Sequence, residues 1–194
     1  MRPVLLWDVM GTLVHDPFFV EMPEFFGMSF DELLEAKHPS AWVDFELGQR
    51  GEREFLDQFF ADGRAFDQKG FIDTVARSYR WLPGLEPLLA ELRDAGIRMH
   101  TFSNYPIWYR LIEGRLRLSR YLDWTFVSCL TGTRKPAPIA YENVINELGL
   151  PAESCIFVDD RLSNCEAARA QGMRALRFEG VDPLRASLRE HGLP

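Results

Sequence analysis

Cysteine is scarce in this chain: Cys129, Cys155 and Cys165 are all that 194 residues contain. An odd number without metal-ligand spacing excludes a disulfide framework and a thiolate zinc site, and predicts reduced, mostly buried thiols. Long hydrophobic runs are missing too. No segment approaches the roughly 18 consecutive apolar residues of a membrane span, and the apolar part of "MRPVLLWD" is too short for a secretory leader. Basic charge is in deficit, with 22 Lys and Arg against 29 Asp and Glu and a formal net charge of −7. Such a surface repels phosphate-rich polymers and anionic bilayers on average, so neither nucleic acid nor membrane is expected as a partner. Any anionic substrate has to be met locally. These absences predict a soluble, cytoplasmic protein acting on a small molecule, and they leave its oligomeric state open.

The composition, 46% hydrophobic and 13% aromatic, supports one good core and a second, smaller one. The stretch "LLWDVMGTLV", Leu5 to Val14, is an apolar run that ends on Asp8 and breaks at Gly11-Thr12. It reads as a central parallel strand whose carboxyl end opens onto a loop. Asp8 then sits where ligands bind in open α/β sheets, although an Asp there can also cap the following loop. From about Asp16 to Trp81 the pattern turns helical. In "EREFLDQFF", Phe55 with Phe59 and Leu56 with Phe60 fall at i, i+4, which predicts a helix through all four. The aromatics of this segment, among them Phe18, Trp42 and Phe45, are expected to form its own core, with enough left exposed to line a pocket.

From "WLPGLEPLLAELRDAGIRMHTFSN" onward helices and strands alternate. Leu85, Leu88, Leu89 and Leu92 mark one helix face, Gly96 ends it, and "IRMHTF" follows as a strand. "WTFVS", "CIFVDD" and "MRALRF" read as further strands, separated by the helices "PIAYENVINELG" and "SNCEAARAQG". The prediction is a Rossmann-like α/β fold: a parallel sheet with helices on both faces, built from residues 1–15 and 82–194, with 16–81 inserted as a helical domain.

The strand ends converge on one rim of such a sheet, and they are unusually polar. Asp8 closes the first strand, Ser103-Asn104 the second and Asp159-Asp160 the fourth, while Arg134-Lys135-Pro136 precedes a helix. Three clustered carboxylates repel one another and raise their own pKa values unless a cation is present. An all-oxygen donor set suits Mg²⁺ better than zinc, and the lysine suits a phosphate oxygen.

The order Asp-x-x-Gly-Thr, Ser-Asn, Lys-Pro, Asp-Asp resembles the haloacid dehalogenase superfamily over nearly the whole chain. The resemblance implies that Asp8 is a nucleophile forming an aspartyl intermediate and that Thr12 belongs to the loop behind it. It implies that Ser103 and Asn104 hold the transferred group and that Lys135 neutralises nucleophile and phosphoryl oxygens. It further implies that Asp159 and Asp160 complete a Mg²⁺ site with Asp8 and the backbone carbonyl of Met10, and that the helical insertion is a cap that closes over substrate.

Phosphatases of that superfamily carry a second Asp two residues after the nucleophile, as general acid and base. Met10 stands there, and loss of such a group typically costs about 10²–10⁴-fold. Three readings stay open. One is a phosphatase that tolerates the loss: "DPFFVEMPEFFGMS" and "KHPSAWVDFELG" resemble a plant-type flavin mononucleotide hydrolase group, whose first motif also has Met but then Asp in place of Gly11. His15 and Asp16 are nearby candidates for a substitute, although each reads more readily as a loop cap. The second is a metal-free 2-haloacid dehalogenase, favoured by Met10 and Tyr141 and opposed by the Asp159-Asp160 pair. The third is a catalytically weakened binding or regulatory protein. The expectation is a Mg²⁺-dependent phosphatase acting on a small phosphoester. Arg50, Arg53 and Arg64 are expected to be solvated, and Trp108-Tyr109 to pack at a helix start.

Overall fold

The run Val4–Trp7, buried at every position, forms strand β1 at the centre of the sheet. The computed structural model describes residues 3–194; Met1 and Arg2, which open the expected core segment, lie outside the described residues. After β1 the chain runs through the helices α1 (Glu21–Phe26), α2 (Phe30–Ala36), α3 (Ala41–Glu46), α4 (Glu52–Asp57) and α5 (Gln68–Ser78). It then alternates through α6 (Leu85–Asp94), β2 (Met99–Ser103), α7 (Tyr109–Leu116), β3 (Asp123–Val127) and the short α8 (Ser128–Thr131). The remainder is α9 (Pro138–Leu148), β4 (Cys155–Asp159), α10 (Leu162–Ala170), β5 (Arg174–Arg177) and α11 (Val181–Glu190).

The five-stranded sheet has the order β3-β2-β1-β4-β5, with every pairing parallel. Side chains alternate between two cores, as the pleat requires. Leu5, Trp7, Ile156 and Val158 face the core closed by Leu88 and Leu92 of α6, Ile112 of α7 and Leu188 of α11. Leu6, Phe102 and Phe157 face the other, closed by Tyr141 and Val144 of α9 and Cys165 and Ala168 of α10. Both faces are therefore covered, which is why the strands read as continuous apolar runs rather than alternating ones. Cys155 and Cys165 are buried, Cys129 is half-buried, and all three are free thiols. No described helix is long and apolar enough to cross a membrane.

The first core continues without a break from the sheet into the helical insertion. Phe45 and Phe55 stack at 4.5 Å, and Trp108, at the start of α7, packs edge-on against both while its Nε1 donates to Glu52 at 2.6 Å. One expectation fails: α4 stops at Asp57 instead of running through Phe60. The Phe59 carbonyl accepts the His38 N–H, the Ala61 N–H reaches the Ala36 carbonyl, and Lys37 and Phe60 form a bridge. Pairing with the segment after α2 takes the backbone groups a further helical turn would use. The two connectors of the insertion pair with each other: Val14 bridges Trp81 antiparallel, His15 N–H donates to Arg80, and Leu82 N–H donates to Leu13.

Candidate active site

Asp8 is the first residue beyond β1, and its N–H donates to Val158 of β4, which holds it on the rim where β2 and β4 also end. The chain then makes a tight turn, with Leu13 and Val14 N–H both reaching the Val9 carbonyl and Gly11 N–H reaching Val14. Gly11 takes φ +79°, a backbone conformation that favours glycine, and a Cβ there would press on the Asp160 carboxylate, 2.9 Å from Oδ2. Carboxylate oxygens of Asp8, Asp159 and Asp160 lie within 4.8 Å of one another.

Lys135 fills the middle of this cluster. Its Nζ donates to Asp8 Oδ1 at 2.8 Å, Asp159 Oδ2 at 2.6 Å and the Phe102 carbonyl at 2.6 Å, so all three ammonium protons are engaged. The side chain is 1% exposed. Burial pulls its pKa down, but Asp8 and Asp159 more than offset this, and the net shift is upward. Asp8 is pushed up to about 7, first by burial and then by Asp159, with Lys135 opposing. One cation among three acids leaves the cluster short of positive charge.

The two adjacent acids differ in what they touch. Asp159 is saturated by the protein: the Arg161 N–H, the Asn164 amide and Lys135 occupy both oxygens. The Asp160 carboxylate accepts no hydrogen bond from a described side chain and lines the cleft, and burial, then Asp159, raises its pKa. The Met10 carbonyl accepts no hydrogen bond among the described residues. The oxygen donors of Asp8, Asp160 and Met10 thus fit a hard divalent cation.

Ser103, which ends β2, is 2% exposed, and its Oγ has no partner among the described residues. Asn104 and Lys135 exchange two hydrogen bonds at 2.8 Å, side-chain amide to backbone, so Asn104 fixes the loop that carries the lysine. Thr12 is fully buried, and its Oγ1 accepts the Asp160 N–H at 3.0 Å, joining the first and fourth loops. Tyr141 lies in the second core with its hydroxyl on the Asn164 carbonyl.

Asp8, Met10, Asn104, Lys135 and Asp160 floor a cleft of about 270 Å³ whose walls come from the insertion: Phe18, Leu34, Lys37, Trp42 and Glu46. Phe18 and Trp42 stack at 6.5 Å and 21°. Glu46 is buried and holds Trp42 Nε1 at 2.5 Å and Arg134 Nη2 at 3.0 Å; burial raises its pKa, with Arg134 opposing. Arg50, Arg53 and Arg64 pair instead with Asp44, Asp57 and Asp62, away from the cleft. Sequence reasoning missed Lys37, Glu46, Arg161 and Asn164. Each is a single polar residue with no local pattern, and only the paired connectors and the loop after β4 bring them to the rim.

The chain belongs to the haloacid dehalogenase-like hydrolase family, whose model matches residues 3–172. It is 46% identical over 191 residues to the chloroplast flavin mononucleotide hydrolase 1 of Arabidopsis thaliana, covering 98% of this chain and 78% of that protein. A sesquiterpene phosphatase of Aspergillus oryzae is 32% identical over 78% of this chain and 79% of its own length. Among solved structures, a HAD family enzyme of Bacteroides thetaiotaomicron in its magnesium complex superimposes with a TM-score of 0.78 at 20% identity, covering 91% of this chain and 93% of that one.

Proposed function

We propose that this protein is a Mg²⁺-dependent phosphatase that cleaves a small phosphoester through an aspartyl phosphate on Asp8. The observation that carries this reading is the cluster itself: three carboxylates within 4.8 Å of one another, Lys135 held between two of them, and a nucleophile-bearing strand end at its centre. Asp8, Asp160 and the Met10 carbonyl would hold the cation, with Asp159 behind them positioning Lys135. The ion's contribution is to draw charge from the phosphoryl oxygens. Ser103 Oγ donates to one of those oxygens, since the protein offers it no other partner. Lys135 acts through its charge, Asn104 by fixing the Lys135 loop, and Thr12 by fixing Asp160.

Residues 16–81 serve as the cap, the remainder as the core. The Phe18–Trp42 wall favours a flat or apolar leaving group, and the Arabidopsis relative's name makes flavin mononucleotide the first such substrate to try. The free thiols support a reducing compartment, which the cytoplasm provides. The test is phosphate release from flavin mononucleotide, an aryl phosphate and sugar phosphates, with Mg²⁺ and with chelator, using Asp8→Asn as the blank. Release that needs both Mg²⁺ and Asp8 is expected. Chloride release from 2-chloropropionate unaffected by chelator, with no phosphate from any ester, would overturn the reading.

A further inference from the structure

Cleavage through an aspartyl phosphate needs a proton twice: one delivered to the departing oxygen, and one removed from the attacking water. Met10 lines the cleft beside Asp8 but has no proton to transfer. The turn beyond it brings Val14 back beside Met10 as a bridge partner, and the chain then crosses into the insertion so that Asp16 lines the same cleft as Met10 and Asp8. Asp16 Oδ1 accepts the Phe18 N–H at 3.0 Å, which sets the orientation of the carboxyl. Oδ2 accepts no hydrogen bond among the described residues. The other candidates are committed elsewhere. His15 Nε2 lies 2.8 Å from both oxygens of Glu21 and does not line the cleft. Glu46 is tied to Trp42 and Arg134, and the Tyr105 hydroxyl to Tyr79.

We propose that Asp16 is the general acid and base of this active site, supplying from the start of the insertion the carboxyl that position 10 lacks. The proposal rests on the phosphatase reading. In the first step an Asp8 oxygen bonds to phosphorus, the bond from phosphorus to the leaving oxygen breaks, and that oxygen takes the Asp16 proton. In the second, a water oxygen bonds to phosphorus, Asp16 takes a water proton, and the phosphorus–Asp8 bond breaks, returning both side chains to their starting forms. Burial raises the Asp16 pKa, the Phe18 N–H, Arg161 and His15 oppose it, and Asp160 adds to it. Lys37 and Glu46 are the charged groups of the insertion that line the same cleft. A carboxyl that holds its proton longer than a free one suits the acid role.

The test compares Asp16→Asn on p-nitrophenyl phosphate, whose leaving group departs unprotonated, with an alkyl phosphate, whose leaving group needs a proton, both in Mg²⁺. With the aryl ester, a burst of about one equivalent of p-nitrophenolate is expected, followed by turnover slowed on the order of 10²–10⁴-fold. With the alkyl ester there is no burst. Adding Met10→Asp to Asp16→Asn restores turnover by roughly tenfold or more, a rescue that an architectural Asp16 would not allow. Alkyl-ester turnover in Asp16→Asn within about threefold of wild type overturns the proposal. So does loss of the aryl burst with no rescue in the double variant. Wild-type protein that releases no phosphate from any ester is a different result, seen before any variant is made, and it removes the phosphatase reading as well.

Discussion

Ser103 sits in the site with nothing holding its hydroxyl. A buried polar atom without a partner costs stability, so the folded protein gains nothing from Ser103 Oγ unless a ligand takes it. Ser103→Ala is therefore expected to leave the melting temperature unchanged or slightly higher while lowering kcat on the order of 10²-fold, the loss typical of one preorganised donor. Thermal denaturation and phosphate-release kinetics on one preparation check this, and a lower melting temperature with unchanged kcat would mean that Ser103 only packs. Residues of this kind were legible in the sequence, because Asp8, Ser103 and the Asp159-Asp160 pair each end an apolar run. The division of labour between the two acids was not. Asp159 and Asp160 look identical in one-letter code, and only the placement of Asn164 and the Arg161 N–H, which claim Asp159, leaves Asp160 to face the cleft.

At the scale of elements, α3 ties the insertion to the core through its last turn. Glu46 takes Trp42 from its own helix and Arg134 from the loop before α9, while its carbonyl accepts Ser128 Oγ from α8 at 2.6 Å. Glu46→Ala leaves the Arg134 and Trp42 donors without a partner and is expected to cost about 1–3 kcal/mol. It should also raise KM more than it lowers kcat, because Trp42 and Arg134 line the cleft wall rather than the catalytic floor. Steady-state kinetics with denaturant unfolding would show it, and Glu46→Gln, which keeps an acceptor, should fall between the two. The sheet and its flanking helices were readable because apolar runs and i, i+3, i+4 faces repeat from Leu85 onward. The insertion was less so. Phe55 and Phe59 have helical spacing, yet Phe59 spends its carbonyl on His38, a partner no local window contains. The helix α11 follows the last strand that the sequence pattern picked out, and its leucines close the first core.

The molecule as a whole carries its upward-shifted carboxylates in one place. Asp8, with a pKa of about 7, and Asp16, Glu46 and Asp160, all shifted upward by burial, surround the same cleft. For a carboxylate raised on folding, the folded state binds the extra proton. Its stabilising contribution is full below the unfolded pKa and is lost as pH rises through the folded one. Lys135, shifted upward from 10.5, stays charged throughout that window. In chelator the melting temperature is therefore expected to fall between about pH 5 and pH 7.5. Saturating Mg²⁺ should raise it more at the upper end, where it meets deprotonated acids. Thermal scans at both pH values, with and without Mg²⁺, test the sign, and an equal Mg²⁺ effect at both would count against a cation held by these groups. Surface acids such as Glu32, held low by the Ser29 N–H, act below this window.

The paired connectors at residues 13–15 and 80–82 have a mechanical meaning. The Val14–Trp81 bridge and the backbone hydrogen bonds from His15 to Arg80 and from Leu82 to Leu13 fasten the start of the insertion to its end. Asp16 follows His15, the last residue so fastened, and its carboxyl is oriented again by the Phe18 N–H. On the proposal above, the proton donor is thus braced from both sides before any substrate arrives, and its position is a property of the fold rather than of the ligand.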